Sequence, residues 1–441
     1  VLRRQLVPTL RLAVPVILAE LGWMGMGLVD TLMVAPLGPA AIAATAVGNS
    51  LHLGFAIFGM GLLLGLDTLV AQAYGAGERA LCRRWLTTGL RLALMTTVPM
   101  MLLLGGLWWL SPALGFHPET QPLLQGYLGI LILSTPALLV YAALRRYLQS
   151  TGHVTAVMVT LVTANLVNFV ANWAFINGHL GLPALGVTGA AWATLTARMY
   201  MVAVLALTVW LSDRQVPAAT ATTPPAPMRR LLSLGLPAAS TVTAEVGIFS
   251  LLTALAGQLA PVATAAHQIA LNLSAMVFMV HLGLASAGAI RVGHAIGARD
   301  FTEARHAGWT VIVMSVSLSI VTGAVFLRYP EVLIGVYTTE AGVVQLASQL
   351  LAIAALFQIF DGLQGVTTGT LRGLGDTRTA MVSNLTAFWL IGAPVSYGLC
   401  FGLGWGAPGL WWGLLLGLIL TSIVLLSVWT RTVRQRTLSG D

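Results

Sequence analysis

Again and again along this chain, about twenty or more residues pass with scarcely a charge, and that pattern limits the fold more than any motif does. The apolar runs fall at roughly 10–34, 45–73, 86–110, 121–146, 152–177, 187–212, 230–257, 262–290, 304–326, 340–371, 378–403 and 406–433. Each is long enough to cross a bilayer with some tilt. Composition agrees, since 57% of the residues are hydrophobic and only 8% are charged. Soluble domains carry roughly a quarter charged residues, so most of this surface has to face lipid. The fold class predicted is an all-α polytopic membrane protein of twelve transmembrane helices.

The net charge is +8, and every basic residue is an arginine. The arginines fall between the apolar runs, a pattern that sets topology and does not point to nucleic acid. One side of the membrane receives Arg3, Arg4, Arg79, Arg83, Arg84, Arg145, Arg146 and Arg214 from the first half of the chain. The same side receives Arg229, Arg230, Arg299, Arg305, Arg372, Arg378, Arg431, Arg434 and Arg436 from the second, against Arg328 alone on the other. The positive-inside rule then places both termini in the cytoplasm. The stretch "SDRQVPAATATTPPAPMRR" (212–230) is the one long Pro- and Ala/Thr-rich segment, and it reads as an extended linker. The expected organisation is an N-lobe over 1–212, a cytoplasmic linker over 213–229 and a C-lobe over 230–441.

The two lobes resemble each other. "LAVPVILAELGWMG" (12–25) aligns with "LGLPAASTVTAEVG" (234–247), matching Pro15 to Pro237 at an offset of 237 − 15 = 222. The same offset matches Pro39 to Pro261, Gly61 to Gly283, and "AYGAG" (73–77) to "AIGAR" (295–299). "LQSTGHVTAVM" (148–158) resembles "LRGLGDTRTAM" (371–381) with the offset moved by one. A register held this long is an internal repeat. Six spans per repeat give both the same orientation, and two parallel bundles of this kind are expected to enclose a central cleft at the midplane.

Carboxylates inside the spans are Glu20, Asp30, Asp67, Glu245 and Asp361, and the clearest intramembrane base is Arg198. Each is expensive in lipid unless paired, hydrated or protonated, so each marks an interior site. Burial disfavours the charged carboxylate and a bound cation favours it, which lets a proton and a cation compete for the same oxygens. Asp30 is read as a cation or proton site, against a helix-end carboxylate reaching water. Glu245 is read likewise, against an internal pair with Arg198. The counterpart of Glu245 is Trp23 and that of Asp30 is Leu252, so the acids were not simply duplicated. Asp361 lies well inside span 10, one turn after Phe357, whose ring could face a bound cation or merely pack. Asn168 and Asn172, spaced i and i+4, share a face and could serve a site or act as helix glue. Glu20 either lines the inner half of the cleft or pairs with Arg198, and Asp67 reads as structural. His267, His281 and His294 are spaced too widely to build a metal site alone, and core packing is the better reading for them. No Walker A motif, nucleophile elbow, HExxH or Cys/His cluster occurs, so neither an enzyme nor an ATP-driven pump is expected, and no cofactor.

Taken together, "P-x14-D-T-L-M-V" in span 1, "TLVAQAYGAG" closing span 2, "P-x7-E-V" in span 7, "AAHQIALNL" in span 8 and "D…TLRGLGDT" ending span 10 resemble the multidrug and toxic compound extrusion (MATE) transporters. The resemblance covers nearly the whole chain and is nearest the NorM-like branch, because Glu245 and Asp361 are both present. It implies a secondary antiporter in a bacterial inner membrane, acting as a monomer, that exports organic cations in exchange for sodium ions or protons by alternating access. It implies coupling sites at Asp30 with Asn168 and Asn172, and at Glu245 with Asp361, the latter pair binding Na+ if sodium is the coupling ion. Phe357 stands where some sodium-binding relatives have a tyrosine, which removes one hydroxyl ligand. The small-molecule partners implied are organic cations, with membrane lipid as the surroundings. A rival is a lipid-linked saccharide flippase of the same superfamily. Its anionic cargo calls for a cationic cleft, whereas intramembrane acids here outnumber the clear base.

Overall fold

The computed structural model describes residues 2–214 and 226–439. Residues 215–225, on which most of the expected linker falls, lie outside the described residues. The chain is all-helical, with no strand among the described residues. The elements in order are α1 (Leu2–Val34), a 3-10 turn (Ala35–Leu37), α2 (Pro39–Leu62), α3 (Gly65–Gly75), α4 (Arg79–Leu110), a second 3-10 turn (Ser111–Leu114), α5 (Thr120–Leu133) and α6 (Thr135–Ser150). Next come α7 (Val154–Asn177), α8 (Val187–Ser212), α9 (Met228–Ala256), α10 (Pro261–Gly297), α11 (Phe301–Arg328), α12 (Pro330–Gly335) and α13 (Ala341–Leu374). The next-to-last span alternates α14 (Arg378–Asn384), a π-helix π1 (Leu385–Gly392), α15 (Ala393–Tyr397) and a second π-helix π2 (Gly398–Gly402), and α16 (Ala407–Ser439) is the last.

Among the described residues, eleven helices or helix runs are long and apolar enough to cross a membrane, and the pair α5–α6, bent by 44° at Ser134, makes a twelfth if counted as one span. Every one corresponds to an apolar run of the sequence. The runs begin where backbone chemistry allows: Pro39 and Pro261 open α2 and α10 at positions whose N–H has no helical acceptor.

The chain forms two compact units, and their boundary is not the linker. One unit, the N-unit, is Leu18–Ala239; the other, the C-unit, is Val1–Ile17 together with Ser240–Asp441. The sequence puts the lobe boundary at 213–229, whereas compact packing divides α1 and α9 within their lengths. The two cuts are repeat-related, because 240 − 18 = 222 is the offset of the internal repeat. Each cut falls two residues after the matched prolines, Pro15 and Pro237, where the helix lacks one backbone hydrogen bond.

Packing explains the assignment of each segment. In the N-unit, Leu231 and Leu234 of α9 are buried in the same apolar core as Leu66 and Leu92. Both flanks of the linker are held there too. Tyr147 donates a 2.7 Å hydrogen bond to Asp213, and Thr88 donates one of 3.1 Å to the Ala226 carbonyl. The α2–α9 crossing is close because glycines line it, as small residues do where helices meet in lipid. A β-carbon at Gly235 would stand 2.2 Å from the Leu62 carbonyl oxygen, and one at Gly61 would stand 2.6 Å from the Ala239 α-carbon.

In the C-unit, the first half of α1 is clasped to α10 and α11. Arg291 donates to Thr9, to the backbone and side-chain oxygens of Gln5 and, at 2.6 Å, to Glu303. Gln5 itself donates to Glu303 at 2.7 Å. The α13 helix lies on α10 along Gly369 and Gly373, whose added β-carbons would meet the Ala285 and Ala289 carbonyls at 2.4 and 2.7 Å. This contact fixes the helix that carries Asp361.

Gly235→Val drives a branched side chain into the Leu62 backbone. We expect it to cost on the order of 1–3 kcal/mol or more as an overpacking substitution. The measurement is a lowered Tm of the detergent-purified protein, with a surface substitution on the exposed Leu236 as a neutral control.

Candidate functional site

The five carboxylates within the spans separate into two kinds. Glu20, on α1, forms a buried ion pair with Arg145 of α6, and Asp67, on α3, pairs with the adjacent Arg146 at 3.3 Å. Each of these charges is neutralised by a neighbour within its own unit. The ion-pair partner of Glu20 is therefore Arg145 and not the expected Arg198. Arg145 lies inside α6 and is buried, at the end of the apolar run 121–146. Arg291 of α10 is a further intrahelical arginine and pairs with Glu303. Acids thus do not outnumber interior bases as heavily as the sequence suggests, but these bases have acidic partners.

Asp30, Glu245 and Asp361 have no ion pair among the described residues. Asp30, in the N-unit part of α1, is buried, and its two oxygens are approached from two helices. Asn172 of α7 donates to Oδ1 at 2.7 Å, and Thr194 of α8 donates to Oδ2 at 3.1 Å. The Asn172 amide also donates to the Asn168 Oδ1 at 3.1 Å, so the i, i+4 pair forms one polar face against the acid. Both asparagines are fully buried. Nearby Asn165 is plain helix glue, its amide donating to the Gly22 carbonyl at 2.9 Å and to Leu161.

Glu245, on the C-unit part of α9, receives two amide donors on one oxygen. Gln364 of α13 and Asn384 at the end of α14 each donate to Oε1 at 2.6 Å. Asn384 stands where the backbone widens into π1, and π-helical turns re-aim the side chains around them. Pro394 follows and cannot supply the N–H that an α-helical turn would need, which accounts for the widened ladder at this place. The same wide turn lets Trp389 donate to the Ala244 carbonyl at 3.1 Å, seating the π-helix on α9 beside the acid. Asp361, one turn before Gln364 on α13, is buried within electrostatic range of Glu245 and has no hydrogen-bond partner among the described residues. Carboxylate and amide oxygens are hard donors of the kind alkali and alkaline-earth cations accept.

The repeat shows what each unit holds in place of the other's acid. Trp23, the counterpart of Glu245, stacks on Tyr141 with ring centroids 5.8 Å apart. Leu252, the counterpart of Asp30, is 2% exposed and lines a small apolar pocket with Phe249, His267 and Trp411. At the second-half offset of 371 − 148 = 223, Asp361 corresponds to Leu138, which is fully buried. Phe357 is packed edge-on against Trp411 and Phe249, with centroids at 5.4 and 6.4 Å, so its ring belongs to the aromatic core. His267 is bonded by Trp411 and Thr253, and His281 by Ser315 and Ser319, so both are core histidines with neutral partners. Among the described residues no group of three or more His, Cys, Asp and Glu gathers as a metal cluster.

Three residues of these sites were not singled out by sequence: Thr194, Gln364 and Asn384. Gln364 carried a signal, since it lies three residues after Asp361 and hence on the same helix face. Asn384 carried the signal of a lone amide in an apolar run. Thr194 carried none, for threonines in such spans commonly bond their own backbone, and this one also donates to Ala190 at 3.1 Å.

An all-helical membrane protein of two homologous units, each with a buried acid held by neutral donors, is of the transporter class and not the enzyme class. The sequence model of the MatE family matches residues 15–174 and again residues 237–398, one match per repeat. The chain belongs to this family of membrane transporters. It is 37% identical over 432 residues to the "Probable multidrug resistance protein NorM" of Pseudomonas putida, spanning 94% of this chain and 92% of the relative. It is 35% identical over 456 residues to the "Multidrug resistance protein PmpM" of Pseudomonas aeruginosa, spanning 98% and 93% of the two chains. Among solved structures, the eukaryotic MATE transporter AtDTX14 has the same fold, with a TM-score of 0.87 and 23% identity over the full length of both chains.

Glu20→Ala strands the Arg145 guanidinium without a carboxylate. The expected loss is about 3–5 kcal/mol of stability, as for one-sided removal of a buried pair. It is measured as a lower Tm in detergent, most of it recovered when Arg145→Leu is added.

Proposed function

We propose that this transporter is a multidrug efflux antiporter of a bacterial inner membrane, exporting organic cations as sodium ions or protons enter. The observation that carries this reading is the division of the intramembrane acids. Glu20 and Asp67 are neutralised by arginines, while Asp30, Glu245 and Asp361 are held by amides, a hydroxyl or nothing charged. A carboxylate kept in lipid without an ion pair is costly in its empty, ionised form, and a proton, a sodium ion or an organic cation relieves that cost. The names of the curated relatives, multidrug resistance proteins, support the multidrug-export part of this reading.

Mechanism follows from linkage. An ion on one of these acids removes its attraction for an organic cation, and loss of the ion restores it. Entry of the ion from outside favours release of the drug there, and discharge of the ion inside resets the acid. Alternating exposure of the sites on the two sides of the membrane turns this exclusion into antiport. Asp30, with Asn168, Asn172 and Thr194, is the coupling acid of the N-unit. Glu245 and Asp361, with Gln364 and Asn384, are those of the C-unit, and they supply the carboxylate oxygens for Na+ if sodium is the coupling ion. Both termini lie in the cytoplasm in this reading.

Proteoliposomes loaded with ethidium test it. A sodium gradient and a pH gradient are imposed separately, and the one that drives ethidium movement names the coupling ion; stimulation by neither overturns the antiporter reading. Asp30→Asn is expected to reduce gradient-driven transport at least tenfold, and unchanged transport in that variant removes Asp30 from the mechanism. Glu245→Gln keeps the shape and the amide contacts of Glu245 but not its charge. It is expected to reduce coupled transport while leaving Tm within a few degrees of the unsubstituted protein, since no buried partner charge is stranded.

A further inference from the structure

One buried charge of the N-unit is not used by that mechanism. Arg198 sits on α8 one turn beyond Thr194, so the two side chains leave the same helix face. Thr194 already holds the Asp30 carboxylate, and the Arg198 and Asp30 charges lie within electrostatic range of each other. Arg198 is 7% exposed and forms no ion pair among the described residues. Its guanidinium donates instead to the Ser134 hydroxyl at the α5–α6 bend, beside Thr135, which meets His52 at 3.2 Å. The contrast with its neighbours is chemical. Arg145, Arg146 and Arg291 each hold a carboxylate, whereas Arg198 is kept by a neutral hydroxyl, within electrostatic range of an acid that has neutral donors and likewise no ion pair among the described residues.

We infer that Arg198 is a resident cation of the Asp30 site, held off the carboxylate by Ser134 so that it weakens the binding of a transported cation there without occupying the place. With Asp30 ionised, the two charges sum to zero, and an arriving monovalent cation leaves the buried site with a net positive charge. At protein-like dielectric a fixed unit charge within electrostatic range of a buried site is expected to change cation affinity by about tenfold. The Ser134 hydroxyl fixes the distance: the guanidinium is near enough to repel the cargo and too well engaged to close on Asp30 as a permanent salt bridge. A site of this kind releases its cation readily, as turnover requires.

The inference rests on the reading of Asp30 as a cation-coupling acid, and the test separates the two. Ethidium binding to the full-length protein in detergent is measured by fluorescence. Arg198→Gln is expected to bind ethidium about tenfold more tightly, and Arg198→Lys, which restores the charge, to return toward the original affinity. Ser134→Asp gives Arg198 a carboxylate without removing it and is expected to tighten binding in the same direction, which covers the case that Arg198→Gln fails to fold. Ser134→Ala keeps the charge but frees the guanidinium to close on Asp30, and is expected to weaken ethidium binding by about threefold or more. In an Asp30→Asn background the effect of Arg198→Gln is expected to vanish. Unchanged or weaker binding in both Arg198→Gln and Ser134→Asp overturns the inference, as does a gain that persists in Asp30→Asn. If Asp30→Asn alone leaves both ethidium binding and gradient-driven transport intact, the role of Asp30 fails instead.

Discussion

The structure depends on what a carboxylate meets when it is taken out of water. In hydrocarbon an ionised acid is stable only beside a cation, and the protein has two ways of supplying one. At Glu20 and Asp67 the cation is built in as an arginine one helix away, and the result is a fixed strut between α1 or α3 and α6. At Asp30, Glu245 and Asp361 no basic side chain among the described residues forms an ion pair, and amides and a hydroxyl hold two of the carboxylates in shape without discharging them. The same residue type is structural in one place and chemically open in another, and the difference is the neighbour and not the acid.

That neighbour is where sequence reading succeeds and where it stops. Twelve spans are legible because hydropathy is summed over about twenty residues, and each apolar run of the chain became a helix, a helix run or, at α5–α6, a bent helix pair. Asp30 with Asn168 and Asn172 is legible because the i, i+4 spacing places two amides on one face before any tertiary contact is known. Partner identity across helices is not legible. Glu20 and Arg198 are both interior charges of the first repeat, yet Glu20 meets Arg145, whose position at the edge of an apolar run reads as a loop cluster. Phe357 shares a helix face with Asp361, but its ring is claimed by Trp411 and Phe249, a contact that depends on how α9, α13 and α16 pack.

The repeat is likewise legible in register and silent on its consequence. Matched prolines and glycines give the 222-residue offset, but nothing in them says that α1 and α9 are each shared between units. That follows from tertiary packing: the glycine-lined crossing of α2 and α9 in the N-unit and the Arg291 clasp on Gln5 and Thr9 in the C-unit. The Pro- and Ala/Thr-rich stretch looks like the domain boundary because composition changes there, whereas both of its described flanks are anchored in a single unit.

This sharing bears on how such a chain could have arisen. Each compact unit contains the opening segment of the other repeat's first helix, cut at positions one repeat length apart. A lone six-span ancestor would lack that segment unless two copies traded it, and two copies that trade an identical element form a domain-swapped dimer. Joining such a pair end to end keeps the exchange and frees the halves to diverge. One copy could then keep an aspartate where the other keeps Leu252, and a glutamate where the other keeps Trp23.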